Sequence, residues 1–224
     1  MPDRPAVVKI CGATRTEDLA LLAGADLVGL WHGVRGGHAD LDRDRLVALA
    51  GATGGPAPVL VTFGADPVAI GETVAAAGIR WVQLHGYQPP GVVRGLLARH
   101  PGLNVIKVLH VHGQTCQELA LIPAYERVGV SMFLLDSVTD DGRIGSTARP
   151  IDPFAALAVA DRLNRPFLLA GGLSADNAAQ FDAVRRHPRF AGVDVDSGAR
   201  DENGRIDGER VAAICREWTL EGAR

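Results

Sequence analysis

Lys9 and Cys11 stand two residues apart in the run Val7-Val8-Lys9-Ile10-Cys11-Gly12. A β-strand has a period of two, so both would share one face while Val8 and Ile10 point the other way. An ammonium beside a thiol, whose free pKa lies near ~8.5, favours the thiolate, a better base or nucleophile. The chain has only two lysines, Lys9 and Lys107, both in apolar strand-like runs, and arginine supplies the other 21 basic residues. The competing reading is a structural lysine beneath a buried, inert cysteine. In a closed barrel Lys9 could also pair with Asp194, whose parity turns it inward on the neighbouring last strand.

Asp136 ends another apolar run, Met132 to Asp136. A thiolate and a carboxylic acid facing each other across a small substrate suit proton removal on one side and delivery on the other, which is isomerase chemistry. Asp136 could instead cap a helix, but the polar stretch after it, Ser137 to Gly142, reads as a loop. Gly171-Gly172-Leu173-Ser174 and Asp196-Ser197-Gly198 follow two later runs. Glycine lets backbone approach closely, and free N–H groups at turns can cradle a phosphate. Asp196 opposes that reading, because a carboxylate beside a phosphate is repelled unless it is protonated, turned away or paired with a cation. The first arginine following it is Arg200. His110 and His112 have a spacing that could bind metal, but no further ligand is arranged with them, and a solvated strand end is the expectation. Asp40, Asp42 and Asp44 lack the glycine and terminal glutamate of a calcium loop and are expected to open a helix.

The elements that must position these groups are short apolar runs: 7–11, 27–31, 59–63, 81–85, 105–111, 132–136, 167–170 and 193–195. Between them lie segments of helical spacing, opened by Thr14 with Glu17, Asp66-Pro67, Asp152-Pro153, and Asp207 before Val211. Eight strand-helix units with continuous rather than alternating apolar strands predict a parallel sheet covered by helices, an α/β (β/α)8 TIM barrel forming a single domain over 1–224. The turn after the first strand has no G-x-G-x-x-G, which counts against a doubly wound dinucleotide fold. Barrel enzymes build their sites at the C-terminal strand ends. Here those ends carry Cys11, His32, His85, Asp136, Gly171, Gly172, Asp194, Asp196, Ser197 and Gly198.

At 47% hydrophobic with net charge −3, the chain can fill one large core and has no basic run for nucleic acid or an anionic membrane. Three widely spaced cysteines fit free thiols in a reducing compartment. No apolar run approaches a membrane span and no leader pattern is visible, so a cytoplasmic protein acting on a small molecule is expected.

The order K-I-C-G, Q-L-H-G (Gln83 to Gly86), L-L-D (Leu134 to Asp136), G-G-L (Gly171 to Leu173) and D-V-D-S-G resembles phosphoribosylanthranilate isomerase over nearly the whole chain. That resemblance implies a (β/α)8 barrel of tryptophan biosynthesis. Its reaction is an Amadori rearrangement of an N-phosphoribosyl aminoaldose to a 1-deoxyribulose aminoketose, with no cofactor and no metal. It implies Cys11 as the general base taking the sugar C2 proton and Asp136 as the general acid protonating the ring oxygen. The positions expected to bind a phosphorylated aminosugar are Lys9, Arg35, His38, Gln83, His85, Gly171, Gly172, Leu173, Asp194, Asp196, Ser197 and Gly198. A monomer or a homodimer is expected.

Three stretches depart from the family pattern. His38 stands where an arginine usually meets the anthranilate carboxylate, and a histidine cannot make the bidentate fork, although Arg35 in the same loop could reach in. Gly142 to Arg149 replaces a glycine-rich loop, and Asp196 replaces a serine. Two further readings follow from these departures: a relative acting on a different N-glycoside, and a barrel kept for binding without turnover.

Overall fold

The computed structural model describes residues 6–138 and 150–219. Eight parallel strands form a ring: β1 (Val7–Cys11), β2 (Leu27–Trp31), β3 (Ala57–Thr62), β4 (Trp81–Leu84), β5 (Asn104–His112), β7 (Met132–Ser137), β8 (Phe167–Leu169) and β9 (Phe190–Val195). Pairing of β1 with β9 and of β4 with β5 closes it into a barrel. A short strand β6 (Thr115–Cys116) hairpins back antiparallel onto the end of β5. It was not among the sequence expectations. Nor was the early start of β9, whose register on β8 is interrupted near Gly192. A Cβ at Gly192 would run into the backbone of Val7, so the irregularity needs glycine.

Strand parity sorts the side chains into two cores. Leu27, Val59, Ile106, Val108, Leu134 and Leu168 fill the barrel interior. Val8, Ile10, Val28, Leu30, Leu109 and Val193 point outward against the helices. Every strand is therefore apolar on both faces, which is why the runs in the sequence were continuous.

Among the described residues eight helices alternate with the strands: α1 (Thr16–Ala20), α2 (Arg43–Ala52), α3 (Pro67–Ala77), α4 (Pro90–Arg99), α5 (Ile122–Val128), α6 (Pro153–Ala160), α7 (Asp182–Arg185) and α8 (Gly208–Thr219). The Asp66, Asp152 and Asp207 carboxylates accept from backbone N–H groups in the first turns of α3, α6 and α8, as expected. Asp42 does the same for α2, whereas Asp40 accepts from Val34 N and shapes the preceding loop. The expected Thr14 and Glu17 pair is corrected. Asp18 holds that turn, accepting from the backbone of Thr14 and Arg15 and from the Arg15 guanidinium. After β8 the chain forms a 3-10 turn (Ala178–Phe181) before the four-residue α7 rather than a long helix. Trp218 of α8 donates to Ser174 O and ties that helix to the loop following β8.

Candidate active site

The register of β1 on β9 pairs Lys9 with Asp194, both facing inward. Lys9 Nζ lies 2.8 Å from Asp194 Oδ1 and 3.2 Å from Cys11 Sγ. Room for this comes from β2, where Gly29 is level with Cys11. A Cβ at Gly29 would lie 2.5 Å from Cys11 Sγ and 3.0 Å from Lys9 Nζ. Trp31, next inward on β2, donates its indole N–H to Cys11 Sγ at 3.0 Å. Two donors thus converge on one sulfur.

They do not make the resting thiol acidic, and that expectation is corrected. Burial and the Asp194 carboxylate push the Cys11 pKa up to about 12, with Asp196 adding to the rise and Lys9 and Trp31 opposing it. Burial also works against the Lys9 ammonium, but the charges of Asp194 and Cys11 outweigh it and hold its pKa above the usual lysine value. Burial raises the Asp194 carboxyl despite Lys9.

Cys11, Trp31, His85, Asp136, Asp194 and Asp196 line one cavity together with Ala170, Gly171, Gly172, Leu173 and Ser197. Its empty volume, open mouth included, is about 430 Å³. Asp136 enters from β7, across the ring from β1. Its Oδ1 accepts from Ser137 N at 2.9 Å, and its Oδ2 lies 3.2 Å from His85 Nε2. Among the described residues that nitrogen has no aligned hydrogen-bond partner, and it is buried. Gln83 sits below, its Nε2 donating to His85 Nδ1 at 3.0 Å and approaching Asp194 Oδ2 at 3.5 Å.

The two glycine-bearing loops meet at the cavity wall. Gly171 and Gly172 have φ of +87° and +60°, a left-handed pair that turns the backbone sharply. Gly198 packs so tightly under the Leu173 carbonyl that any Cβ would collide with it. Asp196 is paired: Arg200 Nε donates to its Oδ1 at 2.7 Å, and His38 Nε2 lies 3.5 Å from Oδ2. Arg200 also donates to the carbonyls of Cys11 and Gly12, which staples the end of β1 to the end of β9.

Of the residues expected from the sequence, Cys11, His85, Asp136, Gly171, Gly172, Leu173, Asp194, Asp196 and Ser197 line the cavity. Lys9 and Gln83 lie buried behind its wall, Gly198 packs between the loops, and Arg35 and His38 sit exposed on the loop after β2. His32 is not in the cavity wall; its Nδ1 turns to Leu41 O. His110 is not a solvated strand end. It is buried, with Nδ1 2.6 Å from Glu118 Oε1 and Nε2 2.9 Å from His85 O, because β6 carries Glu118 back over it. The Gly142 to Arg149 departure lies outside the described residues. Trp31 was missed, and Arg200 was noted only as the first arginine after Asp196, not as its partner. Trp31 shares the inward parity of Gly29, a signal available in the sequence, whereas Arg200 reaches Asp196 only because a 3-10 turn at Ser197–Ala199 folds it back.

A family model for N-(5'phosphoribosyl)anthranilate (PRA) isomerase matches residues 8–217. The chain belongs to this family. Relatives named N-(5'-phosphoribosyl)anthranilate isomerase include that of Azorhizobium caulinodans, 37% identical and covering 93% of this chain and 90% of the relative. The protein of the same name from Halobacterium salinarum is also 37% identical, covering 95% of each. Among solved structures, phosphoribosyl anthranilate isomerase of Thermus thermophilus shares the fold with a TM-score of 0.77 at 24% identity, covering 94% of this chain and 97% of that one. The Thermotoga maritima isomerase superposes with a TM-score of 0.73 at 25% identity, covering 95% and 98%. A further solved structure, with a TM-score of 0.72 at 24% identity, covering 95% and 97%, holds reduced 1-(o-carboxyphenylamino)-1-deoxyribulose 5-phosphate. As a phosphoribosylanthranilate isomerase family member, this chain is an isomerase of tryptophan biosynthesis on a (β/α)8 barrel. The family match, running over nearly the whole chain, supports turnover rather than a barrel kept for binding.

Proposed function

We propose that Cys11 and Asp136 carry the Amadori rearrangement of N-(5'-phosphoribosyl)anthranilate in this protein, Cys11 as general base and Asp136 as general acid. Asp136 gives a proton to the furanose ring oxygen, and the ring opens to a protonated imine. Cys11 then takes the C2 proton, leaving an enolamine that tautomerises to the 1-deoxyribulose aminoketose. The observation that carries this reading is the entry of both side chains into one cavity from strands three places apart around the eight-strand ring. A base and an acid on opposite faces of a bound sugar can act without exchanging places.

The loops after β8 and β9 are our candidate for the phosphate. Gly171 and Gly172 bring backbone close, Gly198 lets the two loops touch, and the Arg200 guanidinium offsets the Asp196 charge that would otherwise repel the anion. Among the described residues, the candidates on the rim for the anthranilate carboxylate are the Arg35 guanidinium and, on the same loop, His38 as a hydrogen-bond donor. Among the described residues no helix is long and apolar enough to cross a membrane. We read the chain as one barrel domain acting in the cytoplasm on a soluble phosphorylated metabolite, and gel filtration with light scattering separates monomer from homodimer.

The test is complementation of a tryptophan auxotroph lacking this isomerase, paired with turnover of N-(5'-phosphoribosyl)anthranilate by purified protein. Growth should be restored by the unaltered gene and lost with Cys11→Ala or Asp136→Asn, each lowering kcat by roughly 10²–10⁴-fold. Growth that survives Cys11→Ala would remove the assigned base.

A further inference from the structure

We propose that Cys11, Lys9 and Asp194 form a proton-sharing triad in which Asp194 takes up the thiol proton as the thiolate forms, with the Lys9 ammonium held between sulfur and carboxylate. The inference deepens the assignment of Cys11 as base and rests on that reading.

The geometry is a buried line of three groups. Lys9 Nζ bridges Cys11 Sγ at 3.2 Å and Asp194 Oδ1 at 2.8 Å, and Lys9 is wholly out of solvent. In the resting arrangement of thiol, ammonium and carboxylate, the thiol faces a full negative charge on Asp194, and this is the largest influence on it besides burial. A thiolate formed while Asp194 stays charged would put two anions around one cation in a dry site. A thiolate formed as Asp194 gains a proton leaves the triad's net charge unchanged, because the sites titrate together rather than singly. The other groups around the triad divide, Trp31 and Asp136 favouring this second state and Asp196 and His85 the resting one. Trp31 donates to the sulfur, while Asp196 and Asp136 oppose additional negative charge at Cys11 and Asp194 respectively. His85 favours the Asp194 carboxylate and so sets the balance against complete transfer at rest.

The transfer balances without any further reagent. The Lys9 N–H bond aimed at Asp194 Oδ1 breaks as an O–H bond forms there. The Cys11 S–H bond breaks and its proton joins Nζ, which restores the ammonium. When the thiolate later takes the substrate C2 proton, the triad carries one proton in excess. Asp194 releases that proton to solvent, and Asp136, having protonated the ring oxygen, recovers one from solvent.

The triad has a signature that charge alone lacks: the transfer changes no proton count, so between the Asp194 and Cys11 titrations the alkylation rate of Cys11 in the unaltered protein should level off to a pH-independent plateau, which Asp194→Asn, with no carboxylate to take the proton, should lose. Asp194→Asn imitates the protonated carboxyl, so the pH at which iodoacetamide alkylates Cys11 should fall and the rate at neutral pH should rise by about tenfold or more, one pKa unit or greater. Lys9→Met removes the cation and should move that pH the opposite way. Alkylation is read on the Cys11 peptide by mass spectrometry, which separates it from Cys116 and Cys215. If either single variant fails to fold, Lys9→Met/Asp194→Asn replaces the buried pair with neutral groups, an exchange cores tolerate better than losing one partner. The double variant, which also has no carboxylate to take the proton, should likewise lose the plateau. An alkylation rate that keeps falling about tenfold per pH unit in the unaltered protein, or a plateau that survives in Asp194→Asn, overturns the proposal. Because alkylation needs no substrate, a plateau that Asp194→Asn removes in a protein without turnover would keep the triad and reject the isomerase assignment. Turnover without a plateau would do the reverse.

Discussion

The two lysines of the chain are both fully buried, yet their surroundings drive them apart. Lys9 faces into the barrel and meets two groups able to carry negative charge, so its pKa is raised. Lys107, on β5, has the parity of Val105 and Leu109 and faces outward beneath α5. It donates to the carbonyls of Gly86 and Val108 and lies 5.6 Å from the Tyr125 ring centroid. Its nearest carboxylate oxygen, on Glu118, is 3.8 Å away and already 2.6 Å from His110 Nδ1. Burial therefore wins, and the Lys107 pKa drops to about 8. Glu118 is also opposed by burial, but the His110 hydrogen bond and the neighbouring cations hold it below the usual glutamate range. Burial alone thus says little about what an ammonium does. What matters is whether an anion is free to answer it, and strand parity decides which anions it meets.

The largest expected separation between the two sites is in turnover. Lys9→Met should lower kcat by roughly 10²-fold, the lower end of what a positioned proton-transfer group contributes. It should also destabilise the fold by ~3–5 kcal/mol, because Asp194 is left charged and unpaired. Lys107→Met should leave kcat and KM at the unaltered values, since its neighbours lie outside the catalytic cavity. Steady-state kinetics beside urea melts reads both, and equal loss of turnover in the two variants would erase the contrast.

Next in size is the sign of the pH dependence. The folded protein loses the Lys107 proton near pH 8, while the unfolded chain keeps it to about 10.5, the ordinary lysine value. Across that window the unfolded state binds more protons, so this group makes stability rise with pH, by at most ~1.4 kcal/mol per unit. Lys9 behaves in the opposite way. Its raised pKa gives stability that is fully present below 10.5 and lost as pH climbs through the folded value. Subtracting the urea stability of Lys107→Met from that of the unaltered protein between pH 8 and 10 isolates the first effect, because other titrating groups largely cancel. A flat difference would show that the Glu118 charge reaches Lys107 more strongly than its 3.8 Å separation suggests.

Gly29→Ala sharpens the comparison from the side of space. The added methyl must displace Cys11 Sγ or Lys9 Nζ, which are 2.5 and 3.0 Å from where it would sit. Overpacking of this kind costs ~1–3 kcal/mol. Turnover should fall further than stability alone explains, since the displaced atoms are the proposed base and its neighbour. A variant with lower melting stability but normal kcat would mean that the sulfur need not occupy its observed position.

Much of this arrangement could be read from sequence because it depends on short-range periodicities. The period of two placed Lys9 beside Cys11 and turned Asp194 inward, and aspartates before proline marked the starts of α3 and α6. What escaped depends on chain reversals. Arg200 neutralises Asp196 only after a 3-10 turn brings it back, and Glu118 covers His110 only because β6 hairpins onto β5. Neither reversal has a strong local signature: Gly113 takes φ +54° in the β5–β6 turn, but one glycine does not announce which face the returning carboxylate will reach. The thiol was misjudged for a related reason. Its neighbour Lys9 is visible two residues away, whereas the opposing Asp194 comes from 183 positions further along and burial is a property of the closed ring.

The smallest expected effect tests whether the outward network is structural only. Tyr125 donates its hydroxyl to Gln88 O at 2.6 Å while its ring lies beside Lys107. Tyr125→Phe keeps the ring and removes the donor, leaving a buried carbonyl with one partner fewer, at a cost of ~0.5–1.5 kcal/mol. Gln88 also donates through its side chain to the carbonyls of Thr62 and Gly64, so the loop after β4 retains other ties to the end of β3. Melting stability should therefore drop slightly, with the kcat of the isomerase unchanged. A loss of kcat beyond about twofold, roughly 0.4 kcal/mol of barrel-wide coupling, would show that the outward network reaches the catalytic cavity, most directly through the His110 contact with His85 O.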